Sequence, residues 1–195
     1  MAKGPPALEQ KAPGADCERV RFPAVVIAAM LTLAPATSAA TRPLGANTDA
    51  ARQRALESQI VQAINVVRRG RGLRPLTVST KLAAAAAQHT REMGVDGYFD
   101  HDSFNSTPFW KRIERWYPST KWSSWSVGEN IEYETPDLDA QQSVTIWMNS
   151  PPHRANLLSR TWREIGISAM HFDAASGPYA GKAVTIVTAD FGARR

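Results

Sequence analysis

The chain has four histidines, His89, His101, His153 and His171, and a single cysteine, Cys17. Imidazole titrates near neutral pH and ligates metals readily, so these rings and the carboxylates around them bound the available chemistry. His101 stands in a turn between Asp100 and Asp102, behind Tyr98-Phe99. His153 falls in the first turn of a short helix opened by Pro151-Pro152. The third group is Glu129, within Val127-Gly128-Glu129-Asn130-Ile131-Glu132-Tyr133. A strand there puts Val127, Glu129, Ile131 and Tyr133 on one face, with Glu132 and Glu134 in the opposite phase. A carboxylate in phase with apolar residues must find a partner or meet water at an open strand end, because desolvating it alone is expensive.

His101, His153 and Glu129 would form a two-histidine, one-carboxylate set with open coordination positions. Their spacings of 28 and 24 residues match no ligand motif, and the metalloprotease pattern H-E-x-x-H is absent. His89, on a helical stripe between Ala86 and Met93, reads as a hydrogen-bonded core histidine. His171, near a strand end before Phe172-Asp173, reads as solvated. Nucleophiles are scarce. No G-x-S-x-G elbow occurs, Cys17 lies outside the main body, and Ser150 reads as a helix cap. There is no glycine-rich phosphate loop. Trp110, Trp116, Trp122 and Trp125 cluster with Lys111, Arg112, Arg115 and Lys121, as core packing or as a groove wall for sugars, lipids or peptides.

The elements that must carry these groups can be read from periodicity and punctuation. Asp49 can cap a helix running to about Arg69, and Ser79 opens a second one, Thr80 to Met93, closed by Gly94. The alanines from Ala83 to Ala87 would let another element approach that helix closely. A third helix follows Pro108 and reaches about Trp116. A fourth begins at Pro136-Asp137 and ends near Asn149, and a short one follows Ser150-Pro151-Pro152 through Leu158. Strand character appears at Val127 to Glu134, Ile165 to Phe172 and Ala183 to Phe191. The last two strands carry apolar residues in both phases, so they need cover on both faces. The expected fold class is α+β, a three-layer α-β-α sandwich with a small, mainly antiparallel sheet.

At 195 residues, 43% hydrophobic and 21% charged, the composition fits one globular domain. A disulfide framework within the chain is excluded. The net charge of +5 is mild, and the densest basic group, Arg68, Arg69, Arg71 and Arg74, ends a helix where cations complement the dipole. Nucleic acid is not an expected partner. Arg19 and Arg21 precede the apolar stretch Phe22 to Ala34, and Ser38-Ala39-Ala40 offers a cleavage site. Residues 1–40 are therefore expected to be a signal peptide or N-terminal anchor, 41–48 a short linker and 49–195 the domain. The expected location is secreted or extracytoplasmic, with membrane contact only through the N-terminal segment if it is not cleaved.

The order of several short segments then carries a resemblance. They run Asn65-x-x-Arg68, Gly72-Leu73-x-Pro75-Leu76, Leu82-x-x-Ala85-Ala86-x-x-His89, Gly97-Tyr98-Phe99-x-His101 and Gly128-Glu129-Asn130-Ile131. They continue with Trp147-x-x-Ser150-x-x-His153-Arg154-x-Asn156-Leu157-Leu158, Glu164-Ile165-Gly166-Ile167 and Asp190-Phe191-Gly192. The chain resembles the CAP superfamily (cysteine-rich secretory proteins, antigen 5, pathogenesis-related 1), in its bacterial SCP-like branch. The resemblance implies the same α-β-α sandwich and a cleft lined by two histidines and two glutamates, which in some members holds a divalent cation such as zinc. His101, Glu129 and His153 match three of those positions and are the expected cleft and tentative metal residues. Ser150 stands where the second glutamate belongs, and with Asn130 and His89 it is expected to support the cleft. Relatives have been linked to sterol or fatty-acid binding, signalling and disputed proteolysis. The expectation is an extracellular module binding a lipid, sterol or peptide ligand. The alternatives are a metal-assisted hydrolase, protease or esterase, with Glu129 as ligand or general base, and a structural or partner-binding envelope protein.

Overall fold

The computed structural model describes residues 44–195, with side-chain surroundings from residue 49 onward; the expected export segment 1–40 lies outside the described residues. The first element is helix α1 (Leu44–Arg69). It starts before the expected cap at Asp49, so residues 44–48 belong to the helix and not to a linker. Asp49 prefers a cap but nothing obliges the chain to break there, since Ala46, Ala50 and Ala51 all favour helix. A two-residue strand β1 (Thr77–Val78) follows, then α2 (Thr80–Asp96). Gly94 does not close α2. The helix continues one turn to Gly97, whose left-handed φ of 68° forms the C-cap. Gly94 instead makes room for Phe172, whose ring tip would lie 2.2 Å from any Cβ placed there.

Helix α3 (Phe109–Trp116) leads into strand β2 (Trp125–Glu134). Helix α4 (Ala140–Asn149) begins later than Pro136-Asp137 suggests. Its start is fixed by a reciprocal capping box: the Gln142 amide donates to Asp139 Oδ1 at 2.8 Å, and the Asp139 amide donates to Gln142 Oε1 at 2.9 Å. Then come α5 (Pro151–Leu157), β3 (Glu164–Ala175), a 3₁₀ turn at Gly177–Tyr179, and β4 (Lys182–Arg194).

The four strands form one sheet in the order β1-β3-β4-β2. β1 pairs parallel with β3, while β3–β4 and β4–β2 are antiparallel. The three expected strands are joined by a fourth too short to show a period. Ile165, Ile167, Val187, Ala189 and Phe191 point to one face and pack with Ile60, Ile64, Val144 and Trp147 of α1 and α4. The other face is covered by α2 and α3, through Leu82, Ala85, Phe109, Ile113 and Tyr117 against Val127, and through Met93 against Ile131 and Ile186. The layers are helices, sheet and helices, as the two-faced apolar strands require. The alanine run of α2 has its counterpart in Gly166: a Cβ there would fall 2.0 Å from the backbone nitrogen of Ala83. The helix therefore rides almost backbone to backbone on β3.

Candidate functional site

The strand phase of β2 turns Glu129 toward α2 and α3, and the structure buries it. Its partners come from three separate segments. His101 Nδ1 lies 2.8 Å from Glu129 Oε1. Arg112, in α3, places Nη2 in an ion pair with Glu129 Oε2, while its Nη1 donates to the His101 carbonyl at 3.1 Å and to Ser103 Oγ at 3.3 Å. His89, on α2, is fully buried with Nε2 3.9 Å from Glu129 Oε1. That same Nε2 donates to the Asp100 carbonyl at 2.9 Å. His89 is thus the hydrogen-bonded core histidine expected, and it also forms the floor beneath the carboxylate. Within ion-pair distance the acid meets Arg112, His101 and His89, and His153 is not among these partners.

The turn bearing His101 is held at both ends. Tyr179 donates its hydroxyl to the Tyr98 carbonyl at 2.7 Å, and Phe99 stands edge-on to Tyr133. Asp100 Oδ1 accepts from the Asp102 amide at 3.0 Å, and Asp102 Oδ1 accepts from the Phe109 amide at 3.1 Å. The two aspartates flanking His101 therefore build its loop and tie it to the start of α3.

His153 arrives from α5, which runs along the outer edge of β2. Asn156 Nδ2 donates to the Glu129 carbonyl at 3.0 Å and to Asn130 Oδ1 at 2.9 Å, and Asn130 Nδ2 donates to the His153 carbonyl at 3.1 Å. Asn130 supports the cleft by fixing α5 on the strand edge. The His153 ring is buried, and Nδ1 has no hydrogen-bond partner among the described residues. Burial, with the nearby His101, pushes its pKa down to about 4, so it is a neutral imidazole at pH 7. Ser150 occupies the N-cap position of α5 with extended backbone, but its side chain does not cap the helix. It is buried.

Two further buried carboxyls lie beyond what the sequence reading located. Asp190 on β4 sits directly opposite Glu129 in the antiparallel register, so both side chains share a face. It is fully buried, and neither carboxyl oxygen meets a donor among the described residues. Burial and then the Glu129 charge hold its pKa well above the usual range. Burial pushes Glu129 in the same direction, but Arg112, His89 and His101 together outweigh it and keep this acid ionised. Glu132, in the phase opposite Glu129, is buried against Ser143 of α4, and burial raises its pKa to about 8. The most important omission is Arg112. Phe109, Arg112, Ile113 and Trp116 share one helical stripe, so a charge in phase with apolar positions was the available signal.

The tryptophan cluster does not wall the cleft. Trp116 and Trp122 are exposed, Trp125 donates to the Tyr117 carbonyl at 2.9 Å, and Arg194 lies over the rings of Tyr117 and Trp122. A cavity of about 590 Å³ does open on the other side of Arg112, between α2 and α3, with Gln88, Glu92, Ser103, Phe104 and Lys111 in its lining. His171 is exposed, as its solvated reading expects, and lies 3.1 Å from Thr185 Oγ1.

A sequence model of the cysteine-rich secretory protein family, CAP, matches residues 61–191. The chain belongs to this family. The uncharacterized protein YkwD of Bacillus subtilis is 31% identical over 115 residues, spanning 58% of this chain and 42% of YkwD. The uncharacterized membrane protein YlbC of the same bacterium is 31% identical over 57% of this chain and 30% of its own length. The chain thus spans less than half of these curated relatives. An extracellular SCP-domain protein of Bacillus anthracis superposes with a TM-score of 0.59 at 24% identity, covering 77% of this chain and 44% of that one. An outer surface protein of Borrelia burgdorferi gives 0.55 at 20% identity, covering 70% and 90%. These structures share the fold. Among the described residues no helix is long and apolar enough to cross a membrane.

The residues of this CAP domain do not fit the divalent cation that its family implies. Both Glu129 oxygens are engaged, one by His101 Nδ1 and the other by Arg112, so the one carboxylate of the set is not free to act as a ligand. Among the described residues no three histidine, cysteine or acidic side chains are grouped to hold a metal. Of the tentative set His101, His153 and Glu129, the carboxylate is paired with Arg112 and His101 in a charge-balanced cluster, and His153 stands outside that pairing as a neutral imidazole.

Proposed function

We propose that this CAP domain is an extracytoplasmic ligand-binding module whose polar anchor is the His101–Glu129–His153 cleft and whose ligand is a lipid or another small, largely apolar molecule. The observation that carries the reading is the internal neutralisation of Glu129 by Arg112 and His101. A preorganised, charge-balanced cluster presents hydrogen-bonding groups without leaving a bare charge to be desolvated by an apolar ligand. His153, held neutral, suits a ligand hydroxyl or carbonyl. Aromatic rings lie nearby: the buried Phe109 ring is 6.3 Å from His101, and Phe104, 66% exposed, leans on Tyr98. An address outside the cytoplasm is supported by the apolar stretch near the N-terminus and by similarity in fold to extracellular and surface proteins.

The test is saturable binding of a labelled fatty acid or sterol to the purified chain. Phe104→Ala and His153→Ala are each expected to weaken it about tenfold, equivalent to about 1.4 kcal/mol. Absence of binding to both probes would overturn the reading. One observation favours a second reading, hydrolysis: Glu129 on His101 Nδ1 has the form of the orienting half of a general-base pair. Turnover of an ester or peptide panel that disappears in His101→Ala would move the assignment there.

A further inference from the structure

A buried carboxylate needs a compensating positive charge, and in this cleft the compensation is covalently attached to the protein. Arg112 is almost completely buried and its guanidinium is shared among three acceptors: the Glu129 carboxylate, the His101 carbonyl and Ser103 Oγ. It therefore joins α3, the His101 turn and β2 at one point. A planar, permanently charged fork suits that geometry in a way that a compact ammonium does only in part. Where the resemblance implies a second glutamate this chain has Ser150, which brings no charge. With one fewer acid and one built-in cation, the cluster is balanced without an exogenous ion.

We propose that Arg112 is a tethered cation that takes the place of a divalent metal in this cleft, so that the domain is assembled and functional without one. Arg112 is thus a positioning residue: it sets the orientation of Glu129, and through Glu129 that of His101. The inference concerns the same cleft as the ligand-binding reading, but its test reads metal uptake and stability, so either can fail without the other.

Native mass spectra of the full chain with added zinc at neutral pH are expected to show no stoichiometric adduct. An adduct in the wild type that disappears in His101→Ala overturns the proposal. Urea unfolding without metal is then compared for three variants. Arg112→Met is expected to lose much of the wild-type midpoint, because Glu129 stays buried beside a thioether. Arg112→Lys is expected to keep more than half of what Arg112→Met loses. The double variant Arg112→Met/Glu129→Gln is expected to recover most of it, because a neutral amide needs no cation. If Arg112→Met alone is too unstable to purify, recovery of a folded double variant is the same result. A lysine variant or a double variant as weak as Arg112→Met would show that Arg112 only fills space, and would overturn the proposal. Acidification is expected to narrow the gap between Arg112→Met and the wild type, as Glu129 takes up a proton; a gap independent of pH would overturn it too.

Discussion

At the scale of single residues, the cluster is a set of opposed protonation states. Glu129 stays ionised because Arg112, His89 and His101 outweigh its burial, whereas at Asp190, directly across the strand pair, burial and the Glu129 charge outweigh the same Arg112 and raise the pKa well above the usual range. Glu129→Gln is therefore expected to lower stability by about 3–5 kcal/mol, the range for orphaning a buried charge, here Arg112; urea unfolding at pH 7 checks it. Asp190→Asn is expected to act in the opposite direction. A folded-state pKa raised above that of the unfolded chain means that the native protein binds the extra proton, so stability falls as pH rises between the two values. The amide escapes that loss. The Asp190→Asn variant should exceed the wild type at pH 7, and its advantage should shrink toward pH 4; unfolding midpoints at both pH values decide the matter. His153 has the other sign. Its pKa is depressed to about 4, so the unfolded chain binds the proton first and the contribution present above about pH 6.5 is lost as pH falls toward 4. His153→Gln is expected to flatten the stability profile in that window. Sequence phase located Glu129 among apolar neighbours, but it could not name Arg112 or Asp190 as its surroundings. Those contacts join residues 17 and 61 positions away, and nothing local records them.

At the scale of elements, the helices and strands were legible wherever a period ran for several turns, and least legible at their ends. The short strand β1 has no room for a period, and the start of α4 depends on a capping box that Pro136-Asp137 disguises. Asp139→Ala should cost about 1 kcal/mol, read as a fall in the urea midpoint. Glu132 is buried although its phase is opposite to that of Glu129. Alternation assigns one face of a strand to water, whereas β2 is covered by α4 as well as by α2 and α3, so its second phase is buried too. The alanine run in α2 marks a close-approach surface, as its composition suggests, and Gly166 shows how close. Gly166→Ala is expected to lower stability by at least 1–3 kcal/mol, the usual range for overpacking, since backbone and not a yielding side chain stands in the way. Thermal unfolding checks this.

At the scale of the whole molecule, the sandwich holds two apolar cores on either side of one small sheet, with no cysteine in the domain to staple them. Family membership and layer order were within reach of the sequence because both depend on the order of segments. The chemistry of the cleft was only half legible, because three of its groups are brought together by the outermost strand and the loops that wrap it. That strand's rim is itself stoppered: Asn156 occupies the Glu129 carbonyl from outside, and α5 lies along it. At the opposite border of the sheet stands a strand of only two residues. It pairs with only Glu164 and Ile165, so most of the twelve-residue β3 has no strand on that side. A long, uncovered border of this kind is where one copy would meet another in a concentrated solution.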